Sequence, residues 1–220
     1  QAREYSLRAH VENLAALLDE LDLTRITFVA QDWGGPIAGA YTVRNPERVR
    51  RLCLMNTVLG YGRAKPLPTP WFEWVGRHHE AGTLHEVIGN LGTTILSVMK
   101  LVGFENTGVV DDAWLRAYSA PFATREDCKG ALEFPLDAHL GRIIPYVVEG
   151  FVGVPAMQKI PAMLALGLKD RAIAPEYAIA DFRGIFPRGP ITTLPNAGHY
   201  CQEDAPETLV ALIQQFIQMT

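Results

Sequence analysis

The sequence turns on one stretch, Val29-Ala30-Gln31-Asp32-Trp33-Gly34-Gly35-Pro36. Ile26-Thr27-Phe28-Val29-Ala30 is short and almost wholly apolar, the pattern of a strand covered on both faces in a parallel sheet. Pro36 then falls in the first turn of a new helix, where its missing N–H is no loss. That helix should stop near Asn45-Pro46, because Pro disfavours helical backbone in the residue before it. Asp32 therefore sits at a sharp strand-to-helix turn. Ala30 and Gly34, two residues to either side, relieve the crowding and leave the carboxylate projecting from the sheet. This is a nucleophile elbow with Asp in the usual place of Ser. Read alone, Asp32 is equally well explained as a cap for the next helix.

Working outward, residues 5–22 repeat apolar side chains at Leu7, Val11, Leu14, Leu18 and Leu21, one face of a helix. Val49–Met55 reads as a second buried strand. From about Lys65 to Gly150 several short helical patterns follow, broken by Pro66, Pro68, Pro70, Pro121, Pro135 and Pro145. Strand patterns return at Ala162–Gly167 and Ile191–Leu194. A last helix follows, with Asp204 as N-cap, Glu207 completing a capping box, and Leu209, Leu212, Ile213, Phe216 and Ile217 on its apolar face. The expectation is an α/β fold with a mostly parallel sheet flanked by helices. The core comprises residues 1–64 and 151–220, interrupted by a helical lid over 65–150.

Composition narrows the function. The 220 residues are 48% hydrophobic and 20% charged, enough apolar content to bury a core. A net charge of −4 and a pI of about 5.9 argue against a nucleic-acid or anionic membrane partner, which needs a basic excess. No run approaches the apolar length of a bilayer span. Gln1-Ala2-Arg3-Glu4 looks like neither a signal peptide nor an ordinary start. Three cysteines (Cys53, Cys128, Cys201) are too few and odd for a disulfide framework and suit a reducing, cytoplasmic compartment.

Two further motifs give Asp32 a context. Gly167-Leu168-Lys169-Asp170 ends the third strand, and Asn196-Ala197-Gly198-His199-Tyr200 follows the fourth. Loops beyond the carboxyl ends of such strands converge on one crevice. Asp32, Asp170 and His199 thus follow the chain order nucleophile, acid, base of the α/β-hydrolase triad. With Gln31-Asp32-Trp33-Gly34-Gly35-Pro36, Gly198-His199-Tyr200-Cys201-Gln202-Glu203-Asp204-Ala205-Pro206-Glu207, Ala117-Tyr118-Ser119-Ala120-Pro121-Phe122 and Glu133-Phe134-Pro135, the chain resembles the haloalkane dehalogenases of the α/β-hydrolase superfamily over nearly its whole length.

The resemblance implies a hydrolytic dehalogenase that makes alcohol and halide through an alkyl-aspartyl ester. A carboxylate is anionic at neutral pH without a base, so Asp32 can displace halide from a saturated carbon. Trp33 would hold the halide through its indole N–H and the ester's oxyanion through its backbone N–H. His199 would activate water, with Asp170 orienting it. Some family members place the acid after the second of these strands, where this chain reads Leu54-Met55-Asn56-Thr57 without a carboxylate, which leaves Asp170. Expected partners are a small apolar halogenated substrate, water and halide, with no cofactor, metal, nucleic acid or membrane. Oligomeric state is not legible.

Alternatives stay open. Epoxide hydrolases share the Asp nucleophile but usually carry His where Gln31 stands and use two lid tyrosines, for which Tyr118 and Tyr146 are the candidates. Haloacetate dehalogenases usually have Arg at the place of Trp33. Family members also have four strands and a helix ahead of this chain's first helix, carrying a second oxyanion amide and often a halide-binding Asn. Without them Ile26–Ala30 is an exposed apolar sheet edge. The chain is then an inactive fragment, or another segment covers that edge, or the core is rearranged. None of Trp71, Trp74 and Trp114 falls where a lid halide donor is expected. His78-His79-Glu80 with His85 lacks metal-site spacing. Arg44, Arg48, Arg50 and Arg51 read as a solvated helix end, as do Asp19, Glu20 and Asp22. Trp71, Phe72, Trp74, Phe104, Phe122 and Phe134 read as core packing that includes pocket walls.

Overall fold

A computed structural model describes residues 5–220; Gln1 to Glu4 lie outside them. The chain opens with α1 (Leu7–Glu20), capped by the Ser6 hydroxyl, which accepts from the Ala9 N–H. Then come β1 (Ile26–Gln31), α2 (Gly34–Thr42) and β2 (Val49–Met55). A long helical insertion follows: α3 (Pro70–Glu80), α4 (Leu84–Ile88), α5 (Leu91–Val102), α6 (Asp112–Ser119), α7 (Lys129–His139), α8 (Ile144–Gly150) and α9 (Val154–Met157). The chain returns through β3 (Ala162–Gly167), α10 (Pro175–Ile185), β4 (Ile191–Leu194), α11 (Cys201–Asp204) and α12 (Pro206–Met219).

The four strands of the described residues form one parallel sheet in the order β1-β2-β3-β4. Side chains alternate across it, as the two-residue strand period requires. Leu52, Leu54, Leu164 and Leu166 pack on one side with α1, α2 and α10. Cys53, Met55, Met163 and Ala165 pack on the other with Leu209 and Phe216 of α12. The insertion has its own cluster around Trp71, Val75, Leu84, Ile88 and Leu91, which reaches Ala172 and Tyr200. The carboxyl ends of β1, β3 and β4 therefore open toward the insertion.

The structure departs from the sequence reading at several points. Among the described residues β1 is an edge strand, as expected, but it is not covered on both faces: Val29 is 50% exposed. Of the prolines expected to break helices, Pro70 and Pro145 instead stand in the first turns of α3 and α8. Pro135 lies inside α7, where burial of its ring opposes a local cost of about 3 kcal/mol. Asp204 does not cap α12, whose N-cap is Ala205 with no side-chain cap; its carboxylate is engaged elsewhere, as described below. Of the four arginines read as a solvated end only Arg50 is exposed; the other three are engaged. Arg51 points inward from β2 and donates to Thr27 Oγ1, Thr220 Oγ1 and the Ile217 carbonyl. Arg44 lies 3.8 Å over the Tyr146 ring, and Arg48 binds Asp19 and the carbonyls of Leu18 and Leu23. Among the described residues no single helix is long and apolar enough to cross a membrane.

Candidate active site

Asp32 follows β1 directly, in the left-handed region at φ 49°, which a non-Gly residue rarely adopts and which marks a strained turn. The turn is locked from β2: the Asp32 N–H donates to the Asn56 carbonyl at 3.3 Å, and the Thr57 hydroxyl donates to the Asp32 carbonyl. The tight spot is not where the sequence suggested. A Cβ on Gly34 would meet Ala30 at an ordinary 3.4 Å, whereas one on Gly35 would come within 1.9 Å of Thr57 Oγ1 and 2.5 Å of the Val58 carbonyl. Gly35 is the residue that lets α2 approach the loop after β2.

His199 follows β4, fully enclosed at 2% exposure. Its Nδ1 lies 3.0 Å from Asp170 Oδ2 and its Nε2 lies 3.4 Å from Asp32 Oδ1. The three residues named from sequence are thus brought into one line. Asp170 is buried while the Asp32 side chain is 43% exposed, so the line runs from the interior to an accessible carboxylate. Burial alone would lower the imidazole pKa; the charges and hydrogen bonds of Asp170 and Asp32 outweigh it and raise it to about 10. A carboxyl group on either side thus favours the protonated form of the imidazole.

The acid is held by four donors. Asp170 Oδ1 accepts from the N–H groups of Ala172 (2.7 Å) and Ile173 (2.9 Å), while Oδ2 accepts from His199 and from Asn56 Nδ2 at 2.9 Å. Asn56 also exchanges hydrogen bonds with the Gly167 N–H and carbonyl. Sequence reading passed over this residue, noting only that its position carried no carboxylate. Gln31 was missed too: its Nε2 donates to the His199 carbonyl at 3.1 Å. Asp204 supports the same loop, accepting from the N–H groups of Gly198, Glu105 and Asn106.

Trp33 stands at the N-cap of α2, and its ring lies 4.8 Å from that of Phe134 on α7. Trp114 donates its indole N–H to Glu203 Oε2 at 3.0 Å, so that group is already engaged. Tyr118 donates to the other oxygen of Glu203. Tyr146 belongs elsewhere: its ring is held by Arg8 and Arg44, and Arg44 lies beyond the end of α2 opposite Asp32, roughly 15 Å away by helix rise. His78 Nδ1 pairs with Thr83 Oγ1 and His79 meets His139 edge-on. Among the described residues no three His, Cys, Asp or Glu side chains are grouped to hold a metal ion.

Comparison with known proteins agrees with this architecture. Residues 1–78 match a family model described as the alpha/beta hydrolase fold. A cis-3-alkyl-4-alkyloxetan-2-one decarboxylase of Shewanella oneidensis is 30% identical, over 99% of this chain and 68% of its own length. A haloalkane dehalogenase of Psychrobacter cryohalolentis is also 30% identical, over 97% of this chain and 67% of its own length. The crystal structure of a mutant haloalkane dehalogenase DatA from Agrobacterium tumefaciens shares the fold at 21% identity, with a TM-score of 0.78 over 99% of this chain and 75% of that one. The chain belongs to the haloalkane dehalogenase family of the α/β-hydrolase superfamily.

Proposed function

We propose that the chain cleaves carbon–halogen bonds of small apolar haloalkanes through a covalent ester on Asp32. The observation that carries this reading is the line from the accessible Asp32 carboxylate through His199 to buried Asp170. In the first step an Asp32 oxygen forms a bond to the halogen-bearing carbon, and the halide leaves with the bonding pair. In this reading the Trp33 indole N–H receives the halide, and the N-terminal end of α2 favours negative charge there. In the second step His199 takes a proton from water as its oxygen adds to the ester carbonyl. Collapse breaks the acyl–oxygen bond, the alcohol leaves with that proton, and the second proton of the water passes to solvent as the Asp32 carboxylate returns. Esterification removes the Asp32 charge that favours the protonated imidazole, so His199 gives up that proton to solvent before it acts as base. Residues 65–150 act as the lid over a core of 1–64 and 151–220. The buried thiols of Cys53, Cys128 and Cys201 suit a reducing, cytoplasmic setting.

A second reading is favoured by the 30% identity to the oxetanone decarboxylase. The same carboxylate would open a four-membered lactone, with loss of carbon dioxide leaving an alkene. An epoxide hydrolase needs a pair of activating phenols, and Tyr146 lies at the wrong end of α2 for that task.

The test is an intact-mass spectrum of the His199→Gln chain after incubation with 1-bromobutane. One added butyl group, missing in Asp32→Ala, is expected. A folded chain without an adduct would sink dehalogenation; carbon dioxide release from a dialkyl oxetan-2-one would then favour the second reading.

A further inference from the structure

Helix α6 of the insertion and the turn that carries His199 are fastened together by two neighbouring carboxylates that the reaction does not use. Glu203 and Asp204 both lie on α11, immediately after His199-Tyr200. Glu203 Oε2 accepts from Trp114 Nε1 at 3.0 Å, and Oε1 accepts from the Tyr118 hydroxyl. Both donors belong to α6, one turn apart, so their side chains share a face. Asp204 Oδ1 accepts from the backbone N–H groups of Glu105 and Asn106, just ahead of α6, and its Oδ2 accepts from that of Gly198, just ahead of His199. The Tyr200 N–H adds a bond to the Gly103 carbonyl. Phe104, Trp114 and Tyr118 stack in sequence at 5.3 and 4.3 Å, which stiffens the insertion side. The Tyr118 phenol's pKa is pushed well up, by burial first and then by Glu203, so it stays a donor at any working pH.

We propose that Glu203 is a positioning residue for the general base: it ties α6 to the His199 turn, so that α6 and the imidazole move as one body. The clasp pulls on the side of the site that serves ester hydrolysis. The alkylation side, Asp32 and Trp33 at the start of α2, hangs on β1 and β2; it meets the His199 turn through Gln31 and Asp32 but shares no hydrogen bond with Glu203 or α6. This inference rests on the dehalogenase reading for its kinetic part only.

Two measurements on the full chain test it. Rapid-quench intact mass with 1-bromobutane follows formation and loss of the Asp32 ester. In Glu203→Ala, formation should keep its wild-type rate, while loss slows by on the order of 10–100-fold, as for a base displaced by about 1 Å, so ester accumulates. Tyr118→Phe and Trp114→Phe, gentler changes that keep the ring stack, should each show a smaller shift in the same direction. Ester loss at the wild-type rate in folded Glu203→Ala, or equal slowing of both steps, would overturn the proposal. Amide exchange supplies the second readout, independent of chemistry. Glu203→Ala should lose protection over 112–119 and 198–204 together; loss in α6 alone, or in neither, overturns the clasp. If the wild-type chain forms no ester, the dehalogenase reading fails and the clasp is judged on exchange alone.

Discussion

Two adjacent glycines at the elbow answer differently to one methyl group. Gly34→Ala adds a Cβ at ordinary contact distance from Ala30, so stability should hold. Gly35→Ala drives a Cβ into Thr57 and the Val58 carbonyl, and the midpoint of urea unfolding should fall by an amount equivalent to about 1–3 kcal/mol or more. Asn56→Ala unpairs the buried Gly167 N–H and carbonyl and takes one donor from Asp170. Each unpaired group costs about 1–3 kcal/mol, and the proposed hydrolysis step should slow with it. The imidazole of His199, raised from 6.5 to about 10, contributes stability that is fully present below pH 6.5. That contribution is lost as pH rises through about 10. In Asp32→Asn one of the two carboxylates is gone, and NMR titration of His199 should give a lower pKa than in the wild type. Asp32, Asp170 and His199 were legible because each stands at a strand end with a recognisable flank. Asn56 and Gln31 were not, since an amide at a strand tip announces nothing until the loop it meets, more than a hundred residues away, is in place.

At the scale of elements, α1 and α12 follow from apolar periodicity, the strands from short apolar runs, and α2 from Pro36 at its start and Asn45-Pro46 at its end. The start of α12 shows where that reading fails. Asp204 and Glu207 have the spacing of a capping box, yet the Asp204 carboxylate accepts from three backbone N–H groups on two loops instead. A local pattern cannot register competition from distant donors. The distinction is measurable by urea unfolding. Asp204→Ala should cost at least about 2 kcal/mol, since hydrogen bonds to a charged acceptor are worth about 1.5–3 kcal/mol each. Glu207→Ala should stay within about 0.5 kcal/mol. Arg51 misled for a related reason: strand alternation turns its side chain inward, where the last turn of α12 offers acceptors.

Across the whole molecule, the sheet is strictly sequential, and β1 lies at its margin with Val29 half exposed. An apolar edge that is unpaired among the described residues templates association, so Val29→Lys should lower light scattering of concentrated chain while leaving its circular dichroism unchanged. The insertion's place between β2 and β3 was legible from its change of pattern; its fastening to α11 was not, because that depends on which helix lies over which loop. The sequential sheet also sets an order in time. Gln31, beside the carboxylate, and His199, which it supports, lie 168 residues apart, roughly 10–30 s of ribosomal elongation. Through that interval a nascent chain owns the Asp32 carboxylate and not the His199 imidazole. Under the proposed mechanism, an ester formed on Asp32 in that interval would persist until the loop after β4 delivers the imidazole that removes it.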